Sequence, residues 1–229
     1  VLIPRFPLHE GESIDDIRTH LFREMIRFNG RPTPLFTTEM AAQIRLRGGT
    51  AESDELLEAF LKPLNANAHA RYAQLRDGTA TRDDYIVHGG RALLELLAAR
   101  ELSIIILSGN PHDQISTEAE MLGLTPFCNG HVYGHTDADN FTKQSVLEKL
   151  MAEESFTGEN FVMFGDGAAE IEATRNLGGL AIAVCSDENE NGSGRVDEHK
   201  RAVLIESGAD AIIADYRNPE TLLQTIFGE

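Results

Sequence analysis

The chain is poor in cysteine: Cys128 and Cys185 are the only two among 229 residues, and they stand far apart. That excludes a disulfide framework and a thiolate metal site, whose ligands need close spacing. Both lie beside apolar segments and are expected as buried thiols, and a reducing, cytoplasmic setting fits them. Long apolar runs are lacking too, so no stretch can cross a bilayer, and no basic-then-apolar signal segment opens the chain. Basic residues are the third scarcity. Lys and Arg total 20 against 37 Asp and Glu, a net charge of −17. Such a surface repels phosphate backbones and argues against nucleic acid as a partner. An anionic small substrate would need a local electropositive pocket or a metal. None of the eight histidines has zincin-like spacing. His131 and His135 are four apart but fall in a loop, and they read as structural or solvated.

What is present suits a globular protein. Hydrophobic residues make up 41% and charged residues 25%, enough for a substantial core. The length fits one large domain, or a core with a smaller insert. From about residue 91 onward, apolar runs alternate with amphipathic segments, which predicts βαβ units and a parallel sheet. Strands are expected at 102–107, 131–133, 161–164, 180–184 and 211–214, with helices between them. The unbroken run Ser103-Ile104-Ile105-Ile106-Leu107 predicts a strand covered on both faces. Residues 14–85 differ, with helical periodicity in Ile17, Leu21, Met25 and Ile26, then in Leu56, Leu57, Phe60 and Leu61. Turn signals interrupt it at Asn29-Gly30-Arg31-Pro32, Gly48-Gly49 and Asp77-Gly78. The expected division is an N-terminal piece of the core at 1–12, a helical module at 13–86 and an α/β core at 87–229. The polar loop 186–196 reads as a mobile surface loop.

The most informative stretch is 160–175. An apolar run ends in Gly165-Asp166-Gly167 and gives way to a helical segment carrying Glu170. Two carboxylates thus stand at the carboxyl end of a strand, where open α/β sheets keep their ligand crevice. Hard oxygen ligands grouped this way suit Mg²⁺. The competing reading is that Asp166 merely caps the helix. Two further features have the same setting. The strand at 102–107 ends in Ser108-Gly109-Asn110, where a hydroxyl and free N–H groups can grip an anion. Lys143 opens a helix, where the dipole disfavours positive charge, so a nearby carboxylate or phosphate would explain it.

In this order and at these strand ends, the three features resemble motifs two, three and four of the haloacid dehalogenase-like (HAD) hydrolase superfamily. The resemblance implies a Rossmann-like parallel-sheet core, with the helical module as a small C1 cap. It also implies roles: Ser108, helped by Gly109 and Asn110, binds a phosphoryl oxygen, and Lys143 holds the phosphate and restrains the nucleophile. Asp166 ligates Mg²⁺, and Glu170, where the family more often has Asp, ligates it or orients its waters. The activity so implied is an Mg²⁺-dependent phosphatase acting on a small phosphorylated metabolite through an aspartyl-phosphate. A phosphomutase uses the same scaffold, and a dehalogenase would not need the metal site.

The family's nucleophile motif, Asp-X-Asp after the first strand, is not found. Asp137-Ala138-Asp139 has the spelling but no apolar strand before it. The opening Val1-Leu2-Ile3-Pro4 resembles the text that follows that motif, so a nucleophile-bearing strand is expected upstream of Val1. The other reading is a catalytically inactive phosphate-binding module. Substrate contacts are expected from the cap, with Arg45 and Arg47 as candidates because arginine suits carboxylate or phosphate, and with the turn Gly30-Arg31-Pro32-Thr33 as another.

Overall fold

The computed structural model describes residues 1–136 and 141–228. Asp137-Ala138-Asp139 lies outside them.

Three helices build the first part of the chain: α1 (Ile14–Phe28), α2 (Thr33–Leu46) and α3 (Ser53–Asp77). Helix α1 starts where it does because Ser13 and Asp16 satisfy each other's backbone. Asp16 N–H donates to Ser13 Oγ at 3.2 Å and Ser13 N–H to Asp16 Oδ2 at 2.8 Å, a reciprocal cap for two otherwise unpaired donors. The predicted turns at 29–32, 48–49 and 77–78 separate or end these helices. Gly78 closes α3 in the left-handed region, which a residue without Cβ enters at no steric cost. Apolar residues at helical spacing, Ile17, Leu21, Phe36, Met40, Ile44 and Leu56, form one buried cluster. The opening residues, expected with the α/β core, instead put Leu2 and Phe6 into this cluster, around a short 3₁₀ turn at Ile3–Arg5.

The rest alternates as predicted: α4 (Gly90–Ala99), β1 (Ile106–Pro111), α5 (His112–Met121), the single turn α6 (Thr125–Cys128), β2 (Val132–His135) and α7 (Lys143–Glu154) come first. Then follow β3 (Val162–Gly165), α8 (Ala168–Asn176), β4 (Leu180–Val184), α9 (Glu198–Glu206), β5 (Ala211–Ile213) and α10 (Pro219–Phe227). All strand pairs are parallel, with Val162 opposite Leu180 and Ile182 opposite Ala211. The fold is therefore α/β, with a helical part beside it. Helix α1 joins the two, because Ile26 packs into a small cluster with Ala168 of α8 and Val203 of α9.

Among the described residues the strands form two sheets, β1-β2 and β3-β4-β5. Each of β1 and β3 therefore has one edge without a strand partner. The consequence is visible in burial. Ala181 to Val184 of β4, flanked by strands on both sides, are buried, whereas Ile104 to Leu107 and Val162 to Phe164 are only half-buried. The two-sided cover predicted for 103–107 is thus not present. The strand also runs later than predicted, from Ile106 to Pro111, and its register with β2 shifts between Leu107 and Pro111.

The loop 186–196, predicted as mobile, is pinned. Arg195 pairs with Asp187 at 2.8 Å and Glu190 at 2.9 Å. Asn191 accepts from His88 N–H and donates to Ile86 C=O, each at 2.9 Å. Both cysteines are free and buried, as predicted.

Candidate active site

The carboxyl ends of β1 and β3 bring three predicted features to the same side of the fold. At the end of β3, Gly165-Asp166-Gly167 turns into α8. Asp166 does not cap that helix: the N-cap is Gly167. Its N–H donates instead to Glu170 Oε1 at 2.9 Å, so the backward-reaching residue is Glu170. The Asp166 side chain remains half exposed.

Lys143 is the first residue of α7, placed there by a Thr142 cap whose hydroxyl accepts from Ser145 N–H at 3.0 Å. Its Nζ donates to Glu170 Oε2 at 2.8 Å, and both side chains are less than a tenth exposed. Each side chain has the opposite charge as its partner, as a buried ion requires. The pairing also explains a lysine in a helix's first turn, because Glu170 supplies the negative charge the dipole favours there. Glu170 therefore has both oxygens engaged, one by Gly167 and one by Lys143. Asp166 is the carboxylate left open to a ligand.

Ser108 lies on the irregular end of β1 and is half-buried. Its Oγ accepts from Asn110 N–H at 3.1 Å. The Asn110 N–H, predicted to face an anion, is thus taken by Ser108, and the hydroxyl keeps its proton for another acceptor. The backbone at Gly109 meets an unexpected neighbour: a Cβ there would lie 2.9 Å from Gly30 C=O.

The turn Gly30-Arg31-Pro32-Thr33, expected as a candidate for substrate contact, comes to this place through its glycine. Gly30 lies in the α1–α2 turn with φ +80°, and a Cβ on it would collide with Glu170 Oε2 and stand 2.9 Å from Lys143 Nζ. Asn29 beside it donates from Nδ2 to Asp166 C=O at 3.3 Å. The Asn29-Gly30 turn thus sits against Gly109, Lys143, Glu170 and Asp166 together. Arg31 fixes it through Glu172 at 2.6 Å.

Arg45 and Arg47 are not brought to this place. Arg45 donates to Ala51 C=O at 2.7 Å. Arg47 binds Glu12 at 2.6 Å and lies over the Phe6 ring, and that pairing holds the Glu12 carboxyl below its ordinary range. Both guanidiniums staple the helical part together. His131 approaches Glu154 at 3.6 Å and His135 packs on Phe141, consistent with structural roles.

Two residues were not singled out by sequence reasoning. Lys200 on α9 is buried, with Nζ 3.9 Å from Asp166 Oδ2. Tyr216 is half-buried and packs edge-on against Phe164, and its phenol is pushed up by burial and then by the Asp166 charge. A lysine in an amphipathic helix reads as solvated, so no local signal marked Lys200.

Among the described residues no group of three or more His, Cys, Asp or Glu could by itself hold a metal. Mg²⁺ usually takes one or two carboxylates and fills its octahedron with waters and phosphate oxygens. Asp166, open and at a strand end, fits such a role. Glu170, already doubly engaged, fits the task of holding Lys143.

The family model for a haloacid dehalogenase-like hydrolase matches residues 9–178, a span that includes Ser108, Lys143, Asp166 and Glu170. The chain belongs to the haloacid dehalogenase-like hydrolases. No curated protein matches it in sequence. Solved structures carry the same fold. A hydrolase from Pseudomonas syringae is 16% identical, with TM-score 0.60 and 93% of each chain covered. A HAD family hydrolase from Deinococcus radiodurans R1, with bound phosphate and sodium, is 15% identical at TM-score 0.59, over 99% of this chain and 86% of that one. A predicted phosphoglycolate phosphatase from Haemophilus somnus 129pt is 11% identical at TM-score 0.59, over 93% and 83%. At such identities the likeness of this haloacid dehalogenase-like chain to each is one of fold.

Proposed function

We propose that this haloacid dehalogenase-like protein is the scaffold of an Mg²⁺-dependent phosphatase acting on a small phosphorylated metabolite. The observation that carries the reading is the buried Lys143–Glu170 pair beside the open carboxylate of Asp166. A cation held in place by a buried carboxylate, next to a hydroxyl on a strand end, is an arrangement that binds a phosphoryl group. The phosphate in the Deinococcus radiodurans neighbour agrees in chemical class.

In this reading Ser108 Oγ donates to a phosphoryl oxygen, freed for that by the Asn110 N–H that its own lone pair accepts. Lys143 supplies the positive charge that a chain of net charge −17 must concentrate locally to hold an anion. Glu170 fixes the ammonium's direction, so no reorganisation is needed as charge develops on the phosphoryl oxygens. Asp166 would hold Mg²⁺, which when bound neutralises phosphate charge. The attacking carboxylate of the family's Asp-X-Asp motif is not among the described residues placed at this site. The Asn29-Gly30-Arg31 turn, rather than Arg45 or Arg47, is the part of the helical module placed to touch substrate.

The test is phosphate release from p-nitrophenyl phosphate by the full-length protein, with and without Mg²⁺. Metal-dependent turnover that Lys143→Met removes supports the phosphatase. No turnover, with inorganic phosphate still bound and lost in Lys143→Met, would leave the phosphate-binding module instead.

A further inference from the structure

We propose that Lys200 is a positioning residue that acts on Asp166 as a built-in counter-cation, shared with Glu188 and in competition with any divalent ion at Asp166. The inference rests on the reading of Asp166 as a metal ligand and adds a determinant of how tightly that ligand is available.

Lysine is almost never fully buried unless paired, and Lys200 is only 5% exposed. It lies in the first turn of α9, the positive end of the helix dipole, so its charge needs strong compensation. The backbone is fixed by Asp197, whose Oδ1 accepts from His199 N–H at 2.9 Å and Lys200 N–H at 3.0 Å. The side chain then runs to the carboxyl ends of β3 and β4. There Nζ contacts Glu188 Oε1, donates to Ser186 Oγ at 3.3 Å, and stands 3.9 Å from Asp166 Oδ2.

The asymmetry of this cluster is the argument. The cation is buried and fixed, whereas its two carboxylates, Asp166 and Glu188, are 50% and 64% exposed. Here one buried ammonium faces two carboxylates that remain open to solvent and to ions. Glu188 makes the closer contact and draws the ammonium away from Asp166, which keeps that carboxylate partly free. A divalent ion arriving at Asp166 meets the repulsion of Lys200, and Glu188 moderates it.

Opposite effects follow from two single substitutions. Lys200→Met removes the repelling charge while keeping an apolar stem in a buried position. A unit charge about 6 Å from a divalent ion in water-like surroundings changes its affinity about tenfold. Lys200→Met should therefore bind Mn²⁺ or Mg²⁺ about tenfold more tightly. Glu188→Gln leaves Asp166 as the one carboxylate facing the ammonium, beside the Ser186 hydroxyl, and should bind more weakly. Lys200→Arg keeps the charge and should stay near wild type. A merely structural role would weaken binding in every variant or in none.

The experiment is titration of the full chain with Mn²⁺, followed by electron paramagnetic resonance of the free ion, and with Mg²⁺ by calorimetry. Wild type, Lys200→Met, Lys200→Arg, Glu188→Gln and Asp166→Asn are compared, each checked for folding by thermal melting. Tighter binding in Lys200→Met and weaker binding in Glu188→Gln, both dependent on Asp166, support the proposal. If Lys200→Met does not fold, Glu188→Gln decides, and unchanged or tighter binding there overturns it. Unchanged or weaker binding in a folded Lys200→Met, with Asp166→Asn still abolishing binding, overturns the role of Lys200 and spares the metal reading. No binding by wild type, or binding indifferent to Asp166→Asn, overturns both.

Discussion

Lys143 and Glu170 are each costly alone and stable together. Two buried charges 2.8 Å apart leave an uncompensated ion if either is removed, a loss of about 3–5 kcal/mol in such pairs. Lys143→Met is therefore expected to lower unfolding free energy by about that much in urea titration, and adding Glu170→Gln should recover a good part of it. Asp166 makes the opposite prediction. Half exposed and not the helix cap, it should tolerate Asn within about 0.5 kcal/mol, while on the proposed phosphatase reading the Asn variant should lose Mg²⁺-dependent hydrolysis. Cys185 is a third case. Burial pushes its thiol up to about 11, so the folded state disfavours the thiolate. Its contribution to stability is complete below the unfolded value of about 8.5 and fades as pH rises toward about 11. Alkylation at pH 8 should accordingly require unfolding, which mass spectrometry with and without denaturant will read. The sequence made Asp166, Lys143 and Ser108 visible because strand ends and helix starts are local patterns. The function of Glu170 was not visible, since whether a carboxylate meets a metal or a lysine depends on a residue 27 positions away.

At the scale of elements, the turn between α1 and α2 was legible as a turn and as a candidate for substrate contact, but not as the neighbour of Lys143 and Glu170. Its glycine is required twice over, by φ +80° and by the absence of space for a Cβ beside Glu170 and Lys143. Gly30→Ala should cost at least about 1–2 kcal/mol for the left-handed backbone alone. It should also disturb the Lys143–Glu170 pair, seen as a chemical-shift change of the Gly167 amide that Glu170 holds. The loop 186–196 shows the reverse error, since polar, glycine-containing composition suggested mobility. Composition cannot reveal that Arg195 reaches back to Asp187 and that Asn191 bridges to residues 86–88. The Arg195 guanidinium, with the Asn189 N–H, holds the Asp187 carboxyl down at about 2. The stabilisation from that lowered value is present above the unfolded value of about 3.9 and is lost as pH falls toward about 2. Amide exchange across 187–195 should therefore quicken between these pH values, and Asp187→Asn should remove the dependence.

For the whole molecule, the two sheets are the organising fact. Among the described residues β4 is buried between neighbours, whereas β1 and β3, each with one edge that has no strand partner, keep their apolar residues half-buried. The sequence by itself determined the alternation of strands and helices, the helical character of residues 14–77, the burial of both cysteines and the membership signalled by three motifs. All of these follow from patterns within a few residues: periodicity, caps, turn residues and strand-end glycines. Tertiary structure alone decided that Glu170 pairs with Lys143, that Arg45 and Arg47 pair within the helical part, and that Lys200 lies beside Asp166. Each of those depends on which side chains from distant segments meet, and short-range pattern carries no information about such meetings when burial and charge pairing are settled by packing.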